Sequence, residues 1–436
     1  MSGKKQHSVR LDSDKCKGCT TCLKRCPTEA IRIREGKAFI NPDRCIDCGE
    51  CIKLCPYQAK KATHDDISAL SDFKYKVALP APSLYGQFNN LDNIGYIIKG
   101  LRDIGFDDVF EVACAAELVT AYTRMYITRY NVKKPVISSA CPTILRLIST
   151  NYPFLCDNIM PLLPPVDIAA ILAREKAKKE HPELTDDDIG IAFISPCPAK
   201  VSYIKSKEKP LIDAVLSVKD VYFKLLDKMK IGSEPEETTD SGLIGIGWAT
   251  TGGESSAVFN ERYLAADGIE NCIRVLDQID NEDIKDLDFV ELNACNGGCV
   301  GGAMTIANPF IAQTRLKSLK RYLPVSANRP SGNIIPDKIF NHDTIEYTPS
   351  NLLSNDRETA RRMMGDIEKI SEKLPGIDCG SCGAPTCMAF AEDIVKGETC
   401  ADECTVLMKS LFHEYLKEHD KNINGDDIIK DGRGDK

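Results

Sequence analysis

No stretch of this chain approaches the run of about 18 apolar residues that a membrane-crossing helix needs. No basic stripe is present either: 56 Lys and Arg stand against 64 Asp and Glu in 436 residues, a formal charge of −8. Bilayer and nucleic acid are thereby set aside as partners. The opening residues, MSGKKQHSVRLDSDKC, lack the apolar core of an export leader, so the expected compartment is the cytoplasm. The composition is not that of a disordered chain, since 43% of the residues are hydrophobic, enough to build buried cores over roughly three domains.

Cysteine is what the chain has in excess, with 20 of them. A reducing compartment keeps thiols free, so the count reads as metal binding and not as a disulfide framework. Eight lie between Cys16 and Cys55, five between Cys379 and Cys404, and the rest are spread singly or in one close pair through the middle. The first zone reads CKGCTTCLKRCP and then CIDCGECIKLCP, the same C-x2-C-x2-C-x3-C-P run twice, separated by a strand-like insert, AIRIREGKAFI. Three thiolates at this spacing wrap three irons of one cubane, and the fourth, held by the following proline, reaches the other cluster. The expected assignment is therefore crossed: Cys16, Cys19, Cys22 and Cys55 hold one 4Fe–4S cluster, and Cys26, Cys45, Cys48 and Cys51 the second. Zinc sites pair two cysteines with a separate pair and have no use for a third at this spacing. The segment resembles a bacterial two-cluster ferredoxin.

From about Phe73 to Asn341 the pattern changes. KVALPAPS, KPVISSACP, IGIAFISPCP, LIGIGWATTGG and LDFVELNAC are short apolar runs, each ending in a polar or glycine-rich loop, with helical stretches such as AAILAREKAKKEH between them. Such alternation predicts an α/β fold with mixed or parallel sheets flanked by helices, in which ligands gather at strand ends. Cys141, Cys197, Cys295 and Cys299 all stand at such ends and are expected to converge on one metal centre.

SSACP, SPCPAK and ELNACNGGCVGG, in this order, resemble the three signature segments of the FeFe-hydrogenases, and WATTGGESSAVF resembles a loop of the same domain. The resemblance implies a two-lobed domain holding an H-cluster, a 4Fe–4S cubane joined through one cysteine sulfur to a diiron unit with CO, cyanide and dithiolate ligands. It implies Cys141, Cys197 and Cys295 as cubane ligands and Cys299 as the bridging thiolate. Lys200 matches the family lysine that donates to a cyanide, and Ala81 and Pro82 match the segment packed against the other cyanide. Glycines in CNGGCVGG suit a backbone passing close to a bulky cluster.

The departures from the family lie around these ligands. Where catalytic members have two consecutive cysteines, this chain has Ala140 before Cys141, and a methyl group cannot relay a proton. Ser195 and Tyr203 stand where the family has methionine and glutamate, Asn293 where it has methionine, and Ala121, Tyr122, Thr123 and Tyr126 near its acidic proton path. Ligands kept and proton handling lost resemble the sensory branch of the family. The implied function is a hydrogen-responsive redox protein of low turnover. Its alternatives are a fully catalytic, ferredoxin-linked hydrogenase and an electron carrier without the diiron unit. Implied partners are H2 and protons, a ferredoxin-like carrier or a kinase or phosphatase, and maturation proteins for the diiron unit, with a homodimer as an option.

The last zone, GIDCGSCGAPTCMAFAEDIVKGETCADEC, resembles a small, mostly helical 4Fe–4S domain with Cys379, Cys382, Cys387 and a fourth ligand, Cys404 ahead of Cys400. The expected organisation is a ferredoxin-like α+β domain at 1–70, the H-cluster domain at 71–345, a linker and helix at 346–373, the C-terminal cluster domain at 374–415 and a charged tail at 416–436. Cys114, Cys156 and Cys272 match nothing and read as small buried hydrophobes.

Overall fold

The computed structural model describes residues 7–229, 238–350 and 352–419, so the expected charged tail lies outside the described residues from 420 onward. The chain forms two compact units, Met1–Asp12 with Pro42–Ser350, and Ser13–Asn41 with Asn351–Lys436. The cysteine run from Cys16 to Cys26 therefore belongs to the second unit and the run from Cys45 to Cys55 to the first.

The first unit is built on two parallel sheets. One has four strands in the order Asp108–Val109, Tyr75–Pro80, Ile189–Ser195, Ala214–Ser217, with Val77 opposite Ile191 and Leu79 opposite Phe193. Every residue of Ile189–Ser195 is buried, as a parallel strand covered on both faces must be. Alternate side chains go to opposite faces. Val77, Leu79, Ile191 and Phe193 pack with Val119, Ile168 and Ala173 from two helices, Val112–Arg129 and Pro165–Glu180. Ala78, Ala192 and Ile194 pack the other way, with Ile97, Leu101, Val221 and Leu225. Truncating a side chain as buried as Phe193 to alanine costs about 3–5 kcal/mol.

The other sheet has three strands, Tyr263–Asp267, Phe289–Asn293 and Val136–Ile137, and buries Ile137, Val290 and Leu292 against Ile144, Leu147 and Leu276. A short antiparallel pair, Val9–Leu11 with Lys60–Ala62, completes this unit's strands among the described residues.

One strand expectation is met only briefly and another needs correction. KPVISSACP contributes only the two-residue strand Val136–Ile137. LIGIGWATTGG is a short helix, Leu243–Gly247, followed by a turn and a second helix, Gly253–Ala257. The reason is tertiary: the segment lies against the helix Val112–Arg129, where a Cβ on Gly245 would stand 2.2 Å from the Ala113 carbonyl oxygen. Packing at glycine outweighs the β-forming isoleucines.

In the second unit a hairpin, Ile31–Arg34 with Lys37–Ile40, accompanies three C-terminal helices, Arg357–Lys373, Cys387–Val395 and Thr405–His419. Its core gathers Ile367, Leu374, Ala389 and Phe390. The first of these helices starts where the Asp356 carboxylate accepts the Thr359 N–H at 2.8 Å, a side-chain cap on an otherwise orphaned donor. No helix among the described residues is long and apolar enough to cross a membrane.

Candidate metal centre

Two of the four central cysteines stand directly before a proline that opens a helix. Cys141 is the N-cap of the helix Pro142–Asn151 and Cys197 of the helix Pro198–Lys205. Proline at the first helical position gives up no hydrogen bond and arrives with the required φ. Each sulfur thus stands where free N–H groups and the helix dipole favour negative charge. Cys295 follows the strand Phe289–Asn293, and Cys299 opens a single 3-10 turn, Cys299–Gly301. Between them Gly298 adopts φ +86°, and a Cβ there would lie 2.7 Å from the Thr251 nitrogen, so no other residue lets these two loops meet.

These strand ends bring four sulfurs together. Cys141, Cys197, Cys295 and Cys299 lie within one another's electrostatic reach. Burial, reinforced by neighbouring sulfurs, pushes the thiols of Cys197, Cys295 and Cys299 up to about 12. Loading such a site with metal must release their protons. Among them sits Lys200. Burial works against its charge, but Cys299, Cys197 and Cys141, once they are thiolates, raise it above the usual range for lysine. Four soft sulfur donors with a partly buried ammonium fit an anionic iron–sulfur group better than a hard cation. Beside Cys299 a cavity of about 60 Å³ is lined by Ala81, Pro82, Ala140, Lys200 and Asn293, room for about two water-sized groups.

The substituted positions have found other work. Ser195 is fully buried; its hydroxyl donates to the Cys197 carbonyl at 3.0 Å and accepts the Cys197 N–H at 3.3 Å, pinning the cysteine turn. Asn293 donates to Glu291 at 2.7 Å. Tyr203 donates to Asp167 at 2.5 Å, and Lys207 reaches the same carboxylate oxygen at 2.6 Å.

Two carboxyls beside the cavity were not singled out from sequence. Glu254 lines it, accepts from the Ser138 hydroxyl at 2.7 Å, and leaves its Oε1 buried without a hydrogen-bond partner. Burial, then the charge of Glu291, raises its carboxyl well above the usual range. Glu291 is raised by burial too, although Ser255, Gly252 and Asn293 donate to it. Lys53 was also missed. Burial disfavours its charge, but Cys295, Glu50 and Cys48 restore it, which puts the second cysteine run beside the four-sulfur centre. Gly49 of that run is pressed against Ala303 and Pro198.

Thiolates that hold clusters accept backbone N–H bonds, and both runs supply the same one. Cys26 accepts from Ala30 at 3.3 Å and Cys55 from Ala59 at 3.2 Å. Cys16 accepts from Ala38 at 3.4 Å. At the C-terminus, Cys379, Cys382, Cys387 and Cys404 line one small cavity, while Cys400 is exposed. Cys114 and Cys272 are buried, and burial raises both thiols, as it does for Cys156.

The family described as iron only hydrogenase large subunit, C-terminal domain, matches residues 74–262 and 255–303. A 4Fe–4S dicluster domain matches residues 8–56 and an Fe–S cluster domain residues 374–406. Iron hydrogenase 1 of Clostridium pasteurianum is 23% identical over 298 residues, 54% of this chain and 51% of that protein. The NADP-reducing hydrogenase subunit HndD of Solidesulfovibrio fructosivorans is 25% identical over 221 residues, 45% of this chain and 36% of that protein. The chain thus spans about half, or less, of the length of these relatives. A solved apo form of HydA1 from Chlamydomonas reinhardtii has 15% identity, with 67% of this chain and 89% of that chain covered and a TM-score of 0.43.

Proposed function

The chain belongs to the iron-only hydrogenase large-subunit family, and from that premise we propose that it is a hydrogen-responsive redox protein of low turnover. In this reading Cys141, Cys197 and Cys295 hold a cubane, Cys299 bridges it to a diiron unit, and Lys200, Ala81 and Pro82 seat that unit. When bound, the H-cluster supplies the redox chemistry that interconverts H2 with two protons and two electrons.

The observation that carries the proposal is a division of labour around one cavity. Cys299 and Lys200 stand at its wall, with the other three cysteines close by, whereas the first proton acceptor expected beside them is the methyl of Ala140. Ser195, a conceivable substitute, has its proton committed to the Cys197 carbonyl. Slow proton transfer leaves the site near equilibrium with dissolved hydrogen, as a sensor requires. Electrons then pass along the 4Fe–4S clusters to a carrier or to a signalling partner such as a kinase or phosphatase.

One observation favours a second reading, a working hydrogenase. Glu254 is a buried carboxyl held in its neutral form at the same cavity, and such a group can donate and accept protons.

The deciding experiment is anaerobic infrared spectroscopy of the matured protein in the CO and cyanide region, under argon and then under hydrogen. Bands that shift on adding hydrogen are expected. No bands, with every cubane present, would leave an electron carrier and overturn the proposal.

A further inference from the structure

The insert AIRIREGKAFI separates the two N-terminal cysteine runs and contains no cysteine. We infer that it is the dock for the C-terminal four-cysteine domain, and that it fixes that domain's cluster against the first cysteine run as the terminal station for electrons. The electron route rests on the redox reading above; the docking does not.

Arg32 and Arg34 are two apart on one strand and so share a face. Both grip a single carboxylate oxygen of Asp393, on the helix Cys387–Val395, with Arg32 Nε at 2.7 Å and Arg34 Nη2 at 2.5 Å. The Asp393 side chain is only 4% exposed. A buried carboxylate without those guanidiniums would stand unpaired, so the contact is one the fold cannot drop cheaply. Between the arginines, the Ile33 N–H donates to the Gly383 carbonyl at 2.8 Å. Gly383 adopts φ +79°, and a Cβ there would lie 2.0 Å from the Ile33 carbonyl oxygen. Only glycine permits this approach.

The ligand loops themselves touch. Lys24, two residues past Cys22, donates to the carbonyls of Asp378 and Pro385 and so straddles the loop that carries Cys379 and Cys382. A Cβ on Gly380 would stand 3.1 Å from side-chain atoms of both Leu23 and Lys24. Residues flanking ligands of the first run are thus in van der Waals contact with residues between ligands of the terminal cluster.

The charges favour electron arrival. Two guanidiniums face one carboxylate, and Arg34 also donates to the Cys382 carbonyl at 3.4 Å. Arg34 and Lys24, which donate to carbonyls of the ligand loop, favour the reduced form of the terminal cubane, against the carboxylates of Asp378 and Asp393 beside it. Oxidation of one H2 yields two protons and two electrons; one electron takes the terminal cubane from its 2+ to its 1+ state, and the second stays on another cubane.

The test uses the full chain with its iron–sulfur clusters reconstituted, reduced by dithionite and read by electron paramagnetic resonance. Spin–spin broadening between the terminal cubane and its neighbour is expected in the wild type. It should be lost in Gly383→Ala and Asp393→Asn at unchanged iron content. Should Gly383→Ala or Asp393→Asn lose iron, the milder Arg34→Gln decides in its place, with the broadening weakened. An isolated terminal signal in the wild type, or broadening untouched in iron-replete variants, overturns the dock. Dithionite needs no H-cluster, so broadening that appears with dithionite but not under hydrogen keeps the dock and removes the hydrogen-responsive reading.

Discussion

The Lys200 ammonium donates to the carbonyl oxygen of Ala140 at 2.9 Å. Two positions from different signature segments are therefore tied through backbone, not through the side chain missing at 140. Ala140→Cys adds a thiol at the cavity wall without taking away what orients Lys200. A restored general acid–base there should raise hydrogen turnover by about 10²-fold, read as dye-coupled hydrogen oxidation by the matured protein. An unchanged rate would show that proton transfer past Ala140 is not the bottleneck.

Glu254 makes a prediction about pH that needs no metal. Burial and Glu291 hold its proton more tightly in the folded chain than in the unfolded one. Folding is then favoured most below the ordinary carboxyl range, and stability falls as pH rises from there toward the raised value. Glu254→Gln removes the ionising group and keeps its size, so the variant should lose less stability than the wild type between mildly acidic and mildly alkaline pH. Denaturant midpoints measured across that range check it; parallel profiles would mean that Glu254 ionises freely in the fold.

How much of this was readable beforehand differs by residue. Cys141 and Cys197 are legible because each closes a short apolar run, and the structure makes both of them helix N-caps. The strand Ile189–Ser195 is legible because seven consecutive buried residues leave a continuous apolar run. LIGIGWATTGG misleads because its isoleucines favour strand, and nothing local shows that Gly245 must lie on Ala113. Glu254 and Asp167 are invisible for the same kind of reason: an acid reads as solvent-facing until distant segments close over it. Tyr203 shows the limit from the other side, since the lost glutamate is evident in sequence while the carboxylate at Asp167 that meets the tyrosine is 36 residues away.

That pairing bears on reversing the Tyr203 substitution. Asp167 is 1% exposed and already accepts from Tyr203 and Lys207. Tyr203→Glu would restore the residue usual in the family but set a second buried carboxylate against the first. A loss of about 3 kcal/mol in stability is expected, without a gain in turnover, whereas Tyr203→Phe should cost about 1.5–3 kcal/mol through the lost hydrogen bond to a charged group. Urea denaturation of the two variants orders them. A Tyr203→Glu variant as stable as the wild type would show that the two carboxyls do not repel each other at this site.

The C-terminal ligand set can be tested by iron content alone. Cys404 is 6% exposed and lines the cavity shared by Cys379, Cys382 and Cys387, and its charge is among the influences on the Cys382 thiol. Cys400 lies on the surface, where Asp402 and then slight burial raise its thiol, which makes it a poorer source of thiolate. Cys404→Ser should therefore cost the chain one cubane's iron and the matching visible absorbance, and Cys400→Ser should cost neither. Because the cavity walls also include Phe390 and Leu374 of the unit's core, loss of this cluster should be felt as loss of stability. Thermal unfolding of the second unit should then move down in Cys404→Ser and hold in Cys400→Ser, while the reverse order would make Cys400 the fourth ligand.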